Sequence, residues 1–207
     1  MSSHRSDAAR LIARRDGAFR DVINRAGLPP ARRSARVDER FGHLVRSIVF
    51  QLLATSAANT IHARVVETCG GSVDVTSILD TGPVTLKSAG LSRTKAEAMI
   101  DLAQHVHDGR VRLARHGYMS DEEVLAEVTA VHGIGPWTAH MYLMHTLART
   151  DVWPVGDYGV RNGWSIVHGL DETISERDLA PLGERFVGVR SEVAWYCWEA
   201  VHLARAK

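Results

Sequence analysis

The sequence predicts an all-α fold, and three features carry that reading. No stretch sustains the two-residue alternation of a half-buried strand. From Phe41 to Ala58, Phe41, Leu44, Val45, Ile48, Val49, Leu52 and Leu53 recur at the three- and four-residue steps of one buried helix face. Farther on, two helical stretches flank the tight turn Gly133-Ile134-Gly135-Pro136, the pattern of a helical hairpin.

The other elements follow in chain order. Residues 7 to 26 place Ala9, Leu11, Ile12, Ala18, Phe19, Val22 and Ile23 at helical spacing, and Ala26-Gly27-Leu28-Pro29-Pro30 ends that helix. Arg32, Arg33, Arg36 and Arg40 then read as a solvated basic linker or, alternatively, as a phosphate-contacting arm. After the Phe41–Ala58 helix, another runs from about Ala57 to Cys69 and closes at Gly70-Gly71; Thr76–Leu79 and Pro83–Lys87 read as short helical pieces. Ser92 is an N-cap for a helix with Ala96, Met99, Ile100, Ala103 and Val106 on one face. Lys95 sits in its first turn, either solvated or near a phosphate.

Ser120 and Glu123 have capping-box spacing and open the first helix of the hairpin, whose apolar face is Val124, Leu125, Val128 and Val131. Gly133 and Gly135 permit backbone angles that a side chain would forbid. Pro136 suits the first position of the second helix, expected to reach about Arg149. Beyond Asp157, helices are expected over Tyr158–His168, closed by Gly169, over Ser175–Phe186, and over Arg190–Ala204. Three segments result: 1–40, a helix and basic linker packing with the C-terminal lobe; 41–119, a helical lobe; and 120–207, the hairpin and C-terminal lobe, all in one compact unit.

At 207 residues the chain has enough length for a substantial core. Net charge is only +1, so affinity for a polyanion must come from a local patch. Two distant cysteines, Cys69 and Cys197, form no CxxC pair and fit a reduced, cytoplasmic protein. No apolar run reaches the length of a membrane span, and Met1–Arg5 shows no signal sequence, so no membrane partner is expected. The 11 histidines include no HExxH, and His105/His107 and His140/His145 do not share a helix face, which sets zinc-enzyme chemistry aside. No nucleophile-elbow pattern surrounds any serine or cysteine.

A turn such as 132–138 directs backbone N–H groups outward at a helix start and can bind phosphate without a basic side chain. The other reading is a hairpin that only packs. Gly133-Ile134-Gly135-Pro136-Trp137-Thr138-Ala139, followed by Asp151-Val152-Trp153-Pro154 and Asp157-x-Gly159-x-Arg161, resembles the helix-hairpin-helix DNA glycosylase superfamily. Within it, the chain is similar to the 3-methyladenine DNA glycosylase II type. Gln51-Leu52, Gly90-Leu91-Ser92-x-x-Lys95 and Arg190-Ser191-x-x-Ala194-Trp195-Tyr196-x-Trp198 add to the likeness, which covers about residues 8 to 204. It implies a two-lobed fold with the active site in the cleft between lobes, working as a monomer on double-stranded DNA that holds a damaged base. A bacterial-type, nucleoid-associated cytoplasmic location goes with it.

The resemblance also assigns roles. Asp157 is the catalytic carboxylate; as a bare sequence position it equally suits a helix N-cap. Trp137, with Met141 and Tyr158, forms the base pocket, although Trp137 also reads as a core tryptophan. Gln51 and Leu52 form the wedge that enters the duplex, although Leu52 also lies on the apolar stripe. His132, Gly133, Ile134, Gly135 and Thr138 grip phosphate, and the carbonyls of Thr129, Val131 and Ile134 hold a Na⁺ or K⁺ ion. No organic cofactor is implied, and two cysteines cannot ligate the four-cysteine iron–sulfur cluster of the endonuclease III relatives.

Bifunctional members carry a lysine where Trp137 stands; an indole offers no amine, so strand cleavage by a Schiff base is not expected. An electron-rich indole suits a cationic alkylated base. Met141 departs from the second aromatic of some alkylpurine enzymes, and Val187-Gly188-Val189 replaces a bulkier segment. The extra N-terminal sheet domain of larger bacterial enzymes is not expected. Two other functions stay open: a DNA-binding module that cuts no glycosidic bond, and a glycosylase for oxidised or deaminated bases.

Overall fold

A computed structural model describes residues 2–206. Among these, regular structure is entirely helical, as the missing alternation predicted. The chain forms two compact units, residues 1–33 with 148–207, and residues 34–147. The division differs from the expected segments: residues 120–147, hairpin included, pack in the second unit, not with the C-terminal segment.

The first unit contains α1 (Ser2–Arg15), α2 (Arg20–Ala26), α9 (Tyr158–His168), α10 (Glu176–Leu179) and α11 (Arg190–Arg205). The single helix expected over 7–26 is broken at residue 16. There, Asp16 Oδ1 accepts the N–H of Ala18 at 3.1 Å and starts a 3₁₀ turn over Gly17–Phe19. The expected Ser175–Phe186 helix is likewise α10 followed by a 3₁₀ stretch from Ala180 to Phe186. Pro181 leaves that stretch one backbone donor short. The core is aromatic: Trp164 stacks on His168 at 4.2 Å between centroids and meets Phe19, Trp153 and Phe186 edge-on. Arg32 is not a solvated linker residue; its guanidinium donates to Ser191 O at 3.2 Å.

The second unit contains α3 (Val37–Phe50), α4 (Thr55–Thr68), α5 (Val75–Ser88), α6 (Arg93–His107), α7 (Asp121–Thr129) and α8 (Pro136–Met141). α3 begins four residues early and takes in Arg40, which is buried and donates to Leu113 O at 2.7 Å. It also ends early. Phe41, Leu44, Val45, Ile48 and Val49 are buried as predicted, but the helix stops at Phe50, and Leu52 lies outside it. The pieces at 76–79 and 83–87 fall in α5, whose helical geometry breaks at Gly82 (φ 70°) just before Pro83.

Ser120 and Glu123 make the expected capping box at the start of α7. Helix α8 passes at Tyr142 into a π-helical turn through Thr146, so the stretch expected to reach Arg149 ends earlier. A buried polar group braces the hairpin from behind. Glu127 accepts from Arg112, through both its backbone and its guanidinium, and from His116 Nε2 at 3.1 Å. Burial pulls the His116 pKa down, so the ring is neutral at pH 7. With Nε2 protonated toward Glu127, Nδ1 accepts from Tyr142 Oη at 3.0 Å.

Trp164 is 2% exposed and touches three other aromatic rings. Trp164→Ala should therefore destabilise the protein by about 3–5 kcal/mol, measured by denaturant unfolding.

Candidate functional site

In the first unit the site is organised by one carboxylate. Asp157 closes a turn through its N–H on Pro154 O (2.9 Å) and then N-caps α9, its Oδ1 accepting the N–H of Val160 at 2.8 Å. The same Oδ1 accepts from Trp198 Nε1 of α11 at 2.9 Å. Two N–H donors at one oxygen fix the direction of the side chain. Capping and catalysis are thus compatible roles for Asp157. The side chain is 9% exposed.

Gly159 allows this arrangement. A Cβ there would lie 2.9 Å from Trp198 Cδ1 and 3.1 Å from Asp157 Oδ1. Cys197, next to Trp198, has its thiol pKa raised by burial and by the Asp157 charge, so it stays protonated and inert. Trp198 was not among the expected site residues. Its signal was the Trp-Tyr-x-Trp run of the last helix, which gave a family likeness but no contact. Tyr158 is exposed, with the Arg161 guanidinium 5.8 Å from its ring centre.

The second unit brings together the wedge and hairpin residues. Gln51 Nε2 donates to Gly133 O at 3.1 Å and to Thr138 Oγ1 at 2.9 Å. Gln51, expected together with Leu52 as a wedge, is thus turned onto the hairpin. Leu52 takes the opposite course: it has φ 54° and 104% relative exposure. The reading of Leu52 as a core leucine fails. Lys95 is neither solvated nor turned toward an outside phosphate; its Nζ donates to Val49 O at 2.8 Å and Gln51 O at 2.7 Å. Burial lowers its pKa, while two carbonyls replace the lost water.

The hairpin is more selective than its sequence suggested. The N–H of His132 is held by Asp101 Oδ2 at 2.7 Å, and that of Ile134 by Val131 O at 3.1 Å. The Thr138 side chain is buried against Gln51. These groups brace the turn, whereas the Gly133 and Gly135 N–H groups meet no acceptor among the described residues. The two glycines also differ. Gly133 has φ 79°, and a Cβ there would sit 2.8 Å from Ala98 Cβ. Gly135, the N-cap of α8, has φ −94°, which any residue adopts, and open space around it. Its expected need for special backbone angles is corrected. What it provides is room for something to approach the backbone closely.

Trp137 is 36% exposed, which removes the core reading. It and Met141 line a cavity of about 400 Å³ with His43, Arg46, Phe50 and His145. The Arg46 guanidinium lies 4.1 Å from the Phe50 ring centre and is tied to Asn59 Oδ1 at 3.2 Å. His43, Arg46 and Phe50, the α3 side of this wall, were not among the expected site residues. For a metal, no group of three His, Cys, Asp or Glu residues converges among the described residues. The carbonyls of Thr129, Val131 and Ile134 are neutral hard donors, which suit an alkali ion; Val131 O already accepts one N–H.

Residues 45–187 match the model of the HhH-GPD superfamily base excision DNA repair proteins, and the chain belongs to that family. It is 27% identical to DNA-3-methyladenine glycosylase 1 of Schizosaccharomyces pombe over 192 residues, 91% of this chain and 84% of that protein. The solved structure of the S. pombe 3-methyladenine DNA glycosylase, in complex with abasic DNA, superposes with a TM-score of 0.88. It covers 96% of this chain and 98% of its own, at 26% identity. A DNA-3-methyladenine glycosidase from Bacillus halodurans gives 0.82, at 29% identity and 96% and 91% coverage. Among the described residues, no helix is long and apolar enough to cross a membrane.

The two glycines should behave differently on substitution. Gly133→Ala should cost about 1–3 kcal/mol through its left-handed φ and the Ala98 contact, seen as a lower Tm. Gly135→Gln should leave Tm nearly unchanged and weaken duplex binding, measured by fluorescence anisotropy. A Gly135→Gln protein that binds duplex as well as wild type removes the hairpin from the DNA contact.

Proposed function

We propose that this protein is a monofunctional DNA glycosylase of base excision repair, hydrolysing the N-glycosidic bond of flipped-out alkylated purines such as 3-methyladenine. The observation that carries the reading is the buried, doubly hydrogen-bonded carboxylate of Asp157 in a chain of this family. Glycosidic cleavage builds positive charge on the sugar, and a fixed carboxylate close to it lowers that barrier without reorganising. Water then forms the bond to C1′ and gives up a proton to a base such as Asp157, while the purine leaves with the electron pair of the C–N bond.

Each unit contributes. The first supplies Asp157 and the exposed ring of Tyr158. The second supplies Trp137 to stack on the extrahelical base, Leu52 to occupy the vacated space, and the N–H groups of Gly133 and Gly135 to hold a phosphate. A purine cationic from alkylation is attracted to an indole face and is already a good leaving group. Nothing beyond Asp157 is then required as an acid or base. The carbonyls of Thr129, Val131 and Ile134 would hold Na⁺ or K⁺, which would brace the turn.

The test is base release from a duplex treated with a methylating agent, with the released bases identified by mass. Wild type should liberate methylated purine. Asp157→Asn keeps the oxygen that accepts from Val160 and Trp198 but loses the charge, so release should fall by at least about a hundredfold. Duplex affinity should stay within about threefold. Release by both proteins at equal rates removes Asp157 from the chemistry; release by neither, with binding intact, defines a DNA-binding module.

A further inference from the structure

We propose that Lys95 is a positioning residue for the Leu52 wedge, holding the end of α3 so that Leu52 projects from the protein instead of continuing the helix. The inference rests on the reading of Leu52 as the residue that enters the duplex.

The last carbonyls of a helix lack internal partners and carry its negative dipole end. At the end of α3, Lys95 Nζ takes two of these carbonyls, Val49 O at 2.8 Å and Gln51 O at 2.7 Å. They lie on either side of Phe50, where the helix stops, and the second immediately precedes Leu52. The ammonium therefore pins the chain before and after the break. Its own backbone is fixed in the first turn of α6, where Lys95 N–H donates to the N-cap Ser92 Oγ at 3.3 Å.

Such a pin is needed because the turn is locally unfavourable. Leu52 has φ 54°, which costs a non-glycine residue free energy, and its side chain is fully exposed. The apolar stripe running through Leu52 and Leu53 favours the competing state, a longer α3 with Leu52 on its buried face. Lys95 opposes that state, because an extended α3 would claim the Val49 carbonyl for its own ladder. The Gln51 side chain, bonded to Gly133 O and Thr138 Oγ1, holds the same turn from the hairpin side. Lys95 contributes to DNA repair without meeting DNA.

The test uses a duplex with 2-aminopurine beside an abasic-site analogue, where wedge insertion unstacks the probe and raises its fluorescence without any bond being cut. Lys95→Met should weaken the insertion equilibrium on the order of tenfold, the effect of losing a charged hydrogen bond, while affinity for undamaged duplex stays within twofold. Lys95→Arg, which keeps charge and donors, should recover most of the signal. Lys95→Met placed in a Leu52→Ala background should add no further loss, since both act on one step. Wild-type insertion by Lys95→Met, an additive double mutant, or an equal fall in undamaged-duplex affinity each overturns the proposal. If wild type releases no methylpurine yet the fluorescence pattern holds, the glycosylase reading fails and the positioning role stands.

Discussion

One side-chain amide couples the turn after α3 to the hairpin of the second unit. Gln51 Nε2 reaches Gly133 O and Thr138 Oγ1, joining the end of α3 to a turn 82 residues farther along the chain. The exposed leucine and the hairpin, whose Gly133 and Gly135 N–H groups meet no acceptor among the described residues, are therefore parts of one braced surface. Asp101 on the N–H of His132 and Lys95 on the α3 carbonyls complete the bracing from α6. Polar side chains that look suited to DNA are spent inside the protein. The hairpin N–H groups of Gly133 and Gly135 and the side chain of Leu52 lie outside these bonds among the described residues.

The first unit solves a different problem with the same means. A carboxyl group only 9% exposed needs hydrogen-bond donors, and Val160 N–H and Trp198 Nε1 supply them. The cap residue of α9 and the indole of α11 meet at one oxygen because residue 159 has no Cβ to keep them apart. The aromatic cluster around Trp164 sits in the same unit and holds α9 in place.

Much of this was legible in the sequence, because caps and periodicity are local. Ser120 with Glu123, Ser92, Asp157 and Gly169 all mark helix ends in the structure where they were expected. Of the residues carried by motifs, Asp157 caps α9 as its position allowed, and Trp137 is exposed beside a cavity. The misreadings share one physical cause. The apolar stripe through Leu52 and Leu53 reads as helix, but α3 stops at Phe50 because Lys95 and Gln51, through tertiary contacts, hold the turn that follows. The spent N–H of His132 depends on Asp101, and the buried hydroxyl of Thr138 on Gln51; neither partner is near in sequence. Arg40, read as part of a solvated linker, is buried for the same reason, its partner being the carbonyl of Leu113. Polarity and spacing report what a residue can do, not which distant group claims it.

Residue 137 carries an indole, which offers no amine for a Schiff base, and the proposed monofunctional chemistry follows from that. That is tested most directly by borohydride trapping during the reaction of wild type with methylated duplex and, in parallel, with 8-oxoguanine duplex. The prediction is free methylpurine from the first duplex, with an intact strand and no protein–DNA adduct from either. A trapped covalent adduct, or a strand broken before alkali is added, would contradict it.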